Sequence, residues 1–471
     1  MKCGFVLLLI LTGCAVGPNY RTPKSNAPGN WSEGQLGGTT NTGVQVVEWW
    51  KTFNDPELNS LVERTVKANH DLRIAEGRLL EARALRAGAY WDLGPVINGA
   101  GSATDAKLSQ HAQQQLPPKL HTVTYDAHFD ASWEIDIFGG LRRSAESANA
   151  LYQTVEEDRR DVLVSVLAEV ARNYVEVRGA QRRLDIARKN IQAQTEAVEI
   201  ARARFNAGLT GELDVKQAES LLATTQAQLP VLETAMKQGI HRLGVLLGQQ
   251  PGALLAEFAT TATIPATPPV VPVGLPSDLL RRRPDVRRAE RQLAADTASI
   301  GVATAGLFPK FSLVGTGGFQ SLSVSDWFTG GSRYWSAGPT VTWRVLDLGH
   351  VRSQIRAANA HADQSLAAYE KAVLISFEDV ENALVAYANE QVRYRALAEA
   401  TAANRRALEL ANELYTKGLG DFLNVLDAER SLYQSEDQLV DSERAVTEDL
   451  VALYKALGGG WEKKYEVAQT K

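Results

Sequence analysis

Thr124-Tyr125-Asp126-Ala127-His128-Phe129-Asp130-Ala131-Ser132-Trp133-Glu134-Ile135-Asp136 alternates residue by residue between apolar and polar. Tyr125, Ala127, Phe129, Ala131, Trp133 and Ile135 share one side, and Thr124, Asp126, His128, Asp130, Ser132, Glu134 and Asp136 share the other. A period of two belongs to an extended strand, whose successive side chains point to opposite faces. A second such stretch sets Ala337, Pro339, Val341, Trp343 and Val345 against Ser336, Gly338, Thr340, Thr342 and Arg344. Weaker strands precede them at about 96–104 and 310–319, the latter with Phe311, Leu313 and Phe319 on one face. Two hairpins result, at about 96–137 and 310–346. Segments of about ten residues, apolar on one side and polar on the other, are what a transmembrane β-barrel requires. A soluble sheet with one wet face has the same alternation, so the choice turns on where the chain resides.

The two hairpins belong to a larger repeat. Trp133, Gly139, Arg142 and Ala148-Asn149-Ala150 recur as Trp343, Gly349, Arg352 and Ala358-Asn359-Ala360, an offset of 210 residues. Ala201, Gly208, Leu209, Leu213, Val215, Ala218, Glu219, Leu222, Gln228 and Leu229 recur at the same offset as Ala411, Gly418, Leu419, Leu423, Val425, Ala428, Glu429, Leu432, Gln438 and Leu439. Self-similarity at one period marks stacked structural copies. After each hairpin the period becomes helical: Val162, Val166, Val170, Tyr174 and Val177 stand three and four apart. The pattern predicts helices at about 141–207 and 212–247, repeated at about 351–417 and 421–457. The longer ones reach on the order of 100 Å at the helical rise. Their alanine content suits close contact between neighbours, as in coiled coils or α-barrels.

The copies divide the chain. Residues 57–258 form repeat 1, with long helices from about 139 to 247, and residues 277–457 form repeat 2, with long helices from about 350. Between them, Thr263-Ile264-Pro265-Ala266-Thr267-Pro268-Pro269 marks a Pro-rich connector at 259–276. Residues 14–56 read as an extended segment laid over other surface, and the polar tail at 458–471 reads as loose.

The front of the chain bears on location. Residues 1–13 hold one Lys, an apolar run and small residues, a secretory signal too short to span a membrane. Leu11-Thr12-Gly13-Cys14 resembles the lipobox of bacterial lipoproteins, which implies cleavage before Cys14 and a covalent lipid on it. An ordinary signal with a coincidental Cys reads similarly; the place of Cys14, where the apolar run meets small residues, favours lipidation. Several acyl chains anchor stably where one does not. By the same resemblance Ala15 after the Cys directs the protein to the outer membrane. Cys3 leaves with the signal, so no disulfide or cysteine metal site is expected. A net charge of −5 gives no reason to expect nucleic acid. No further stretch reaches the ~18 apolar residues of a membrane helix, so any spanning segment must be built from strands. Four strands do not close a barrel, for single-chain barrels begin at about eight. An open edge in lipid leaves backbone groups unsatisfied. Strands in the membrane therefore imply several chains per barrel.

Five motifs carry a family resemblance: Cys14-Ala15-Val16-Gly17-Pro18-Asn19-Tyr20, Trp49-Trp50-Lys51-Thr52-Phe53-Asn54-Asp55-Pro56-Glu57-Leu58, Trp133-Glu134-Ile135-Asp136-Ile137-Phe138-Gly139, Leu279-Leu280-Arg281-Arg282-Arg283-Pro284-Asp285-Val286-Arg287 and Asn424-Val425-Leu426-Asp427-Ala428. Together they resemble the lipoprotein branch of TolC-like outer-membrane efflux factors, over essentially the whole chain. The resemblance implies an α+β membrane protein: a homotrimer sharing a twelve-stranded barrel, four strands per chain, that continues into a long periplasmic α-helical barrel. It implies as partners a periplasmic membrane-fusion adaptor, an inner-membrane pump, most often of the resistance-nodulation-division class, and outer-membrane lipid. One departure, Tyr90-Trp91-Asp92-Leu93-Gly94-Pro95, is bulkier than the Leu307-Phe308-Pro309 link of the second copy.

The helix ends meet at Gly208-Leu209-Thr210-Gly211 and Gly418-Leu419-Gly420-Asp421, where glycine permits the left-handed turn that closes a helix. The copies differ here: Tyr415, Asp427 and Arg430 stand where copy one has Phe205, Gln217 and Ser220. The resemblance assigns Tyr415, Asp427 and Arg430 to polar networks that hold a periplasmic gate shut, and Leu423 to an apolar constriction. By spacing alone, Asp427 and Arg430 are an i,i+3 surface pair worth a few tenths of a kcal/mol. Arg281-Arg282-Arg283-Pro284-Asp285 reads as a turn into a helix, with Pro at its first position and Asp near its positive end. The seven His are scattered, and neither His-Glu-x-x-His, Gly-x-Ser-x-Gly nor a phosphate loop occurs, so no enzyme, metal or cofactor is expected. Two functions remain: a passive exit duct for drugs or other solutes, whether serving efflux, metal export or type I secretion, and a lipid-anchored structural coiled coil without a pore.

Overall fold

Pro95 and Pro309 set where the sheet begins, since each lacks the amide that would extend a ladder backwards. The computed structural model describes residues 15–24, 27–33, 38–40, 47–107, 109 and 121–462; Cys14 and the signal segment lie outside the described residues. In chain order the elements are β1 (Thr39–Thr40), α1 (Pro56–Ala68), α2 (His70–Trp91), β2 (Val96–Lys107), β3 (His121–Ile135), α3 (Gly140–Asn206), α4 (Glu212–Leu246), β4 (Val271–Pro272), α5 (Pro276–Arg282), α6 (Pro284–Ala305), β5 (Lys310–Ser321), β6 (Arg333–Thr342), α7 (Leu348–Thr416) and α8 (Phe422–Ala456). They fall into two units, the first from residues up to 24, 78–156 and 288–370, the second from 25–77, 157–287 and 371 onward.

In the first unit the strands form one antiparallel sheet in the order β2-β3-β5-β6. The register carries the alternation of Thr124–Asp136 across all four strands. One row aligns Gly99, Phe129, Gly317 and Trp335, and another aligns Ile97, Ala131, Gly315 and Ala337. The opposite face aligns Asn98, Asp130, Thr316 and Ser336, and its polar groups are joined: Thr316 donates to Asp130, Gln320 and Tyr334 donate to Asp126, and His128 bridges Asp126 and Asp130. The sheet is thus wet on one side and greasy on the other. From Tyr125 to Ile135 the apolar face runs for roughly 34 Å of strand, and a tilt near 40° would make that a band of about 25 Å. Aromatic residues border it: Trp327 packs on Tyr125 and Phe328 at one end, while at the other Trp133 and Trp343 donate to the carbonyls of Leu93 and Leu307. Those two bonds are repeat-mates, so the bulkier 90–95 link performs the same closure as 307–309.

β6 ends sooner than its alternation suggests. Thr342 pairs with Lys310, behind which stands Pro309, so Trp343 and Val345 have no strand left to join and lie half exposed beyond the ladder. The segment after Cys14 is seated against the end of the first hairpin. The Val16 amide donates to the Phe138 carbonyl, and Arg143 donates to the Val16 and Gly17 carbonyls and to Asn19. Gly17 (φ +88°) lies so close to Gly301 that a Cβ would stand 2.5 Å from its Cα.

The second unit buries the Trp49–Leu58 motif. Trp49 stacks on Tyr454 with ring centroids 5.4 Å apart and meets Trp50 and Phe53 edge-on. Asp55 caps α1 by accepting from the amides of Glu57 and Leu58, and its other oxygen accepts from the Tyr174 hydroxyl at 2.7 Å. The helices are α3 and α7 of 67 and 69 residues, α4 and α8 of 35 each. α4 continues past Pro230, an interior proline that removes one amide from the i→i−4 ladder while the turns on either side remain helical. Among the described residues no helix is long and apolar enough to cross a membrane.

Two segments differ from the reading of the sequence. The polar tail is not loose at its start: the Trp461 indole donates to the Arg282 carbonyl, and the guanidiniums of Arg160 and Arg287 stand 4.7 and 5.3 Å from its ring. One aromatic residue anchors a stretch whose composition otherwise looks like coil. The connector also enters a short parallel pairing, Val271–Pro272 with Thr39–Thr40.

The arginine run has the structural role that its turn chemistry predicts. Pro284 opens α6, and Arg283 is buried beneath the turn, donating to Asp285 at 2.7 Å, Asp379 at 2.8 Å and the carbonyls of Ser376 and Ala456. Arg283→Ala should therefore destabilise the second unit by about 3 kcal/mol, since breaking one partner of a buried pair strands the others. Thermal unfolding followed by far-UV circular dichroism checks this, with Arg281→Ala expected to cost little.

Candidate functional site at the helix ends

The repeated glycines close the long helices identically. Gly208 and Gly418 both sit at φ +72° with nothing within 4 Å of where a Cβ would be, so backbone conformation, not space, selects glycine. In copy one the Gly208 amide bonds the Phe205 carbonyl and the Leu209 amide the Arg204 carbonyl. In copy two Gly418 bonds Tyr415 and Leu419 bonds Leu414. Both are Schellman turns. They leave Leu209 and Leu419 exposed at the apex, with Leu213 and Leu423 exposed one turn on.

Between the turns the helices share a small core of Ala197, Val198 and Ala201 from α3, Val215 and Ala218 from α4, Tyr415 from α7 and Phe422, Val425 and Leu426 from α8. Tyr415, 8 % exposed, is its centre: its ring lies 5.1 Å from Phe422, and the Arg204 guanidinium of copy one covers it at 4.4 Å. The Tyr415 hydroxyl is buried with no hydrogen-bond partner among the described residues. Burial, and then Asp214, push its pKa above the ordinary tyrosine value, against the pull of Arg204.

The four proposed gate residues are not brought together within one chain. Asp427 and Arg430 pair with each other on the exposed side of α8, with 55 % and 66 % of their side chains accessible. Tyr415 faces the opposite way, into the shared core, and Leu423 is half exposed. Reading the sequence missed three residues buried or packed at these helix ends. Phe422 and Arg204 replace what the repeat would give as Glu212 and Leu414, so the asymmetry between copies held the signal. The third is Glu429, a repeated scaffold residue by sequence, here a buried acid.

Comparison with known proteins places this arrangement. The family model described as outer membrane efflux protein matches residues 61–249 and 275–459, one stretch in each copy. Nodulation protein T of Rhizobium leguminosarum bv. trifolii is 34 % identical over 96 % of this chain and 96 % of its own. The solvent efflux pump outer membrane protein SrpC of Pseudomonas putida is 30 % identical over 96 % of this chain and 97 % of its own. Among solved structures, the outer-membrane channel OprN superposes with a TM-score of 0.89 at 40 % identity, covering 96 % of this chain and 100 % of that one. With both copies matched and the fold shared throughout its length, the chain belongs to the outer membrane efflux protein family.

Proposed function

We propose that three copies of this chain share one outer-membrane barrel, continued by the long helices as a periplasmic duct. Through it, drugs or other small solutes delivered by an inner-membrane pump and a periplasmic adaptor leave the cell. The observation that carries this reading is the four-stranded sheet with a greasy face and two edges, β2 and β6, that have no strand partner among the described residues. In hydrocarbon each bare backbone group costs several kcal/mol, so the edges require strands from other chains. The family and the named activity of SrpC, a solvent efflux pump outer membrane protein, support the direction of transport. A resistance-nodulation-division pump as the energy source rests on the resemblance. A lipid on Cys14 fits the seating of Val16 and Gly17 beside the first hairpin, which would hold the anchor near the membrane.

The duct itself is passive, and its control belongs at the helix ends. Tyr415 fixes the second copy's end to the first through Arg204, while the exposed Asp427–Arg430 pair is free to exchange partners with a neighbouring subunit. A shut bundle released by exchange of a few polar contacts is a bistable element, as a gate requires. Leu423 would narrow the same end.

Detergent-extracted protein should run as a heat-modifiable trimer and conduct ions in planar bilayers; a soluble, non-conducting monomer after removal of the lipid would instead indicate a periplasmic coiled coil. Asp427→Ala with Arg430→Ala should raise conductance severalfold in an assembled trimer, and unchanged conductance would remove the pair from the gate. Tyr415→Phe should leave thermal stability within about 1 kcal/mol, because the hydroxyl it deletes is buried without a partner. A large loss of stability would mean that the hydroxyl bonds a neighbouring chain.

A further inference from the structure

Glu219 and Glu429 are repeat-mates with opposite surroundings. Glu219 is a surface acid held by two cations: Oε1 accepts from Arg202 Nη2 at 2.7 Å and Oε2 from Lys216 Nζ at 3.0 Å. At the positions equivalent to Arg202 and Lys216, copy two has Asn412 and Leu426. The acid was kept and both its cations were replaced, one by an apolar residue of the shared core. Glu429 is 9 % exposed, and its Oε2 is buried with no hydrogen-bond partner among the described residues.

Among the described residues no charged group on the surrounding helix ends pairs with Glu429. On α3, Arg202 serves Glu219 and Arg204 covers Tyr415, while Glu196 and Glu199 are exposed. On α4, Lys216 serves Glu219 and Asp214 accepts from Thr210. On α7, Arg405 pairs with Glu436, Arg406 with Glu409 and Lys417 with Glu413; on α8 itself, Asp427 and Arg430 pair with each other. Burial alone therefore acts on Glu429 and raises its pKa from 4.5 to about 7. An unpaired carboxylate is far costlier to bury than the neutral acid.

We propose that Glu429 is a proton-binding site that couples closure of the helix ends to pH: closing transfers a proton from water to the Glu429 carboxylate, and opening returns it to water. The site rests on the gate reading for its consequence, but not for its existence. Below pH 4.5 the carboxyl is neutral in both states and the closed ends keep their full stability. Between 4.5 and about 7 only the open form ionises, so opening gains up to about tenfold per pH unit. Above about 7 both forms ionise and the dependence levels off. Opening is thus favoured as pH rises.

The test is hydrogen exchange of peptides from 408–432 in the solubilised full-length protein between pH 5 and 8, corrected for the intrinsic exchange rates. The opening constant of the wild type should rise tens of fold between pH 5 and 7, on the order of the two-unit linkage limit. Glu429→Gln, which mimics the protonated acid, should abolish the slope and stay closed throughout, and Glu429→Met should do the same. Glu219→Gln should leave the slope intact. A flat wild-type profile, or one unchanged in Glu429→Gln and Glu429→Met, overturns the proposal. Conductance measured on the same samples separates the two ideas: a pH slope in exchange without one in conductance keeps the proton site and rejects these helix ends as the gate.

Discussion

Backbone amides cannot be left bare in hydrocarbon, and a sheet of four strands leaves two rows of them bare. The rest of this chain can be read as a response to that constraint. A single barrel-forming chain would need about eight strands or more. In the proposed trimer the deficit is met by pairing β2 and β6 with strands of neighbouring chains. Once chains must share a barrel, each has to present equivalent hairpins and equivalent helices. An internal repeat does this with one folding solution used twice, down to the paired indole bonds of Trp133 and Trp343.

Repetition alone would give a static tube. Against the many repeated residues at the helix ends stand a few departures, where copy two replaces Phe205 by Tyr415, Gln217 by Asp427 and Ser220 by Arg430. The structure adds a deeper asymmetry. Copy one's Arg204 covers copy two's Tyr415, and Glu429 survives where its cations do not. Scaffold positions are duplicated because geometry demands it; the non-duplicated ones carry polarity that costs stability and so calls for another explanation. In the proposed gate, they set when the helix ends part.

Much of this was legible in the residues. Strand faces followed from the alternation at 124–136, and the long helices from apolar spacing that outweighs isolated breakers such as Gly179 and Pro230. The Schellman turns followed from Gly-Leu after each helix. What local pattern could not supply was the environment of a side chain. Nothing in Trp461 itself says that two arginines will clamp it, and the end of β6 at Thr342 depends on Pro309 in the partner strand. The gate residues were nameable only through the family resemblance and the repeat. Spacing gave an ordinary surface pair, and within one chain Asp427 and Arg430 are just that. Glu429 was invisible as a site because its letter is shared by the two copies while its surroundings are not.

The shared barrel turns on β2 of one chain pairing with β6 of the next. Were Cys14 to carry the proposed lipid and Cys3 to leave with the signal, introduced cysteines would be the only free thiols. Single cysteines scanned along β2 around Asn98 and along β6 around Ser336, combined in one chain, test the pairing by oxidative cross-linking in membranes. Covalent two-chain and three-chain species should form, stop at three and arise only from β2–β6 combinations. Absence of cross-links along both edges in correctly inserted protein, or a ladder running on past three chains, would contradict the shared barrel.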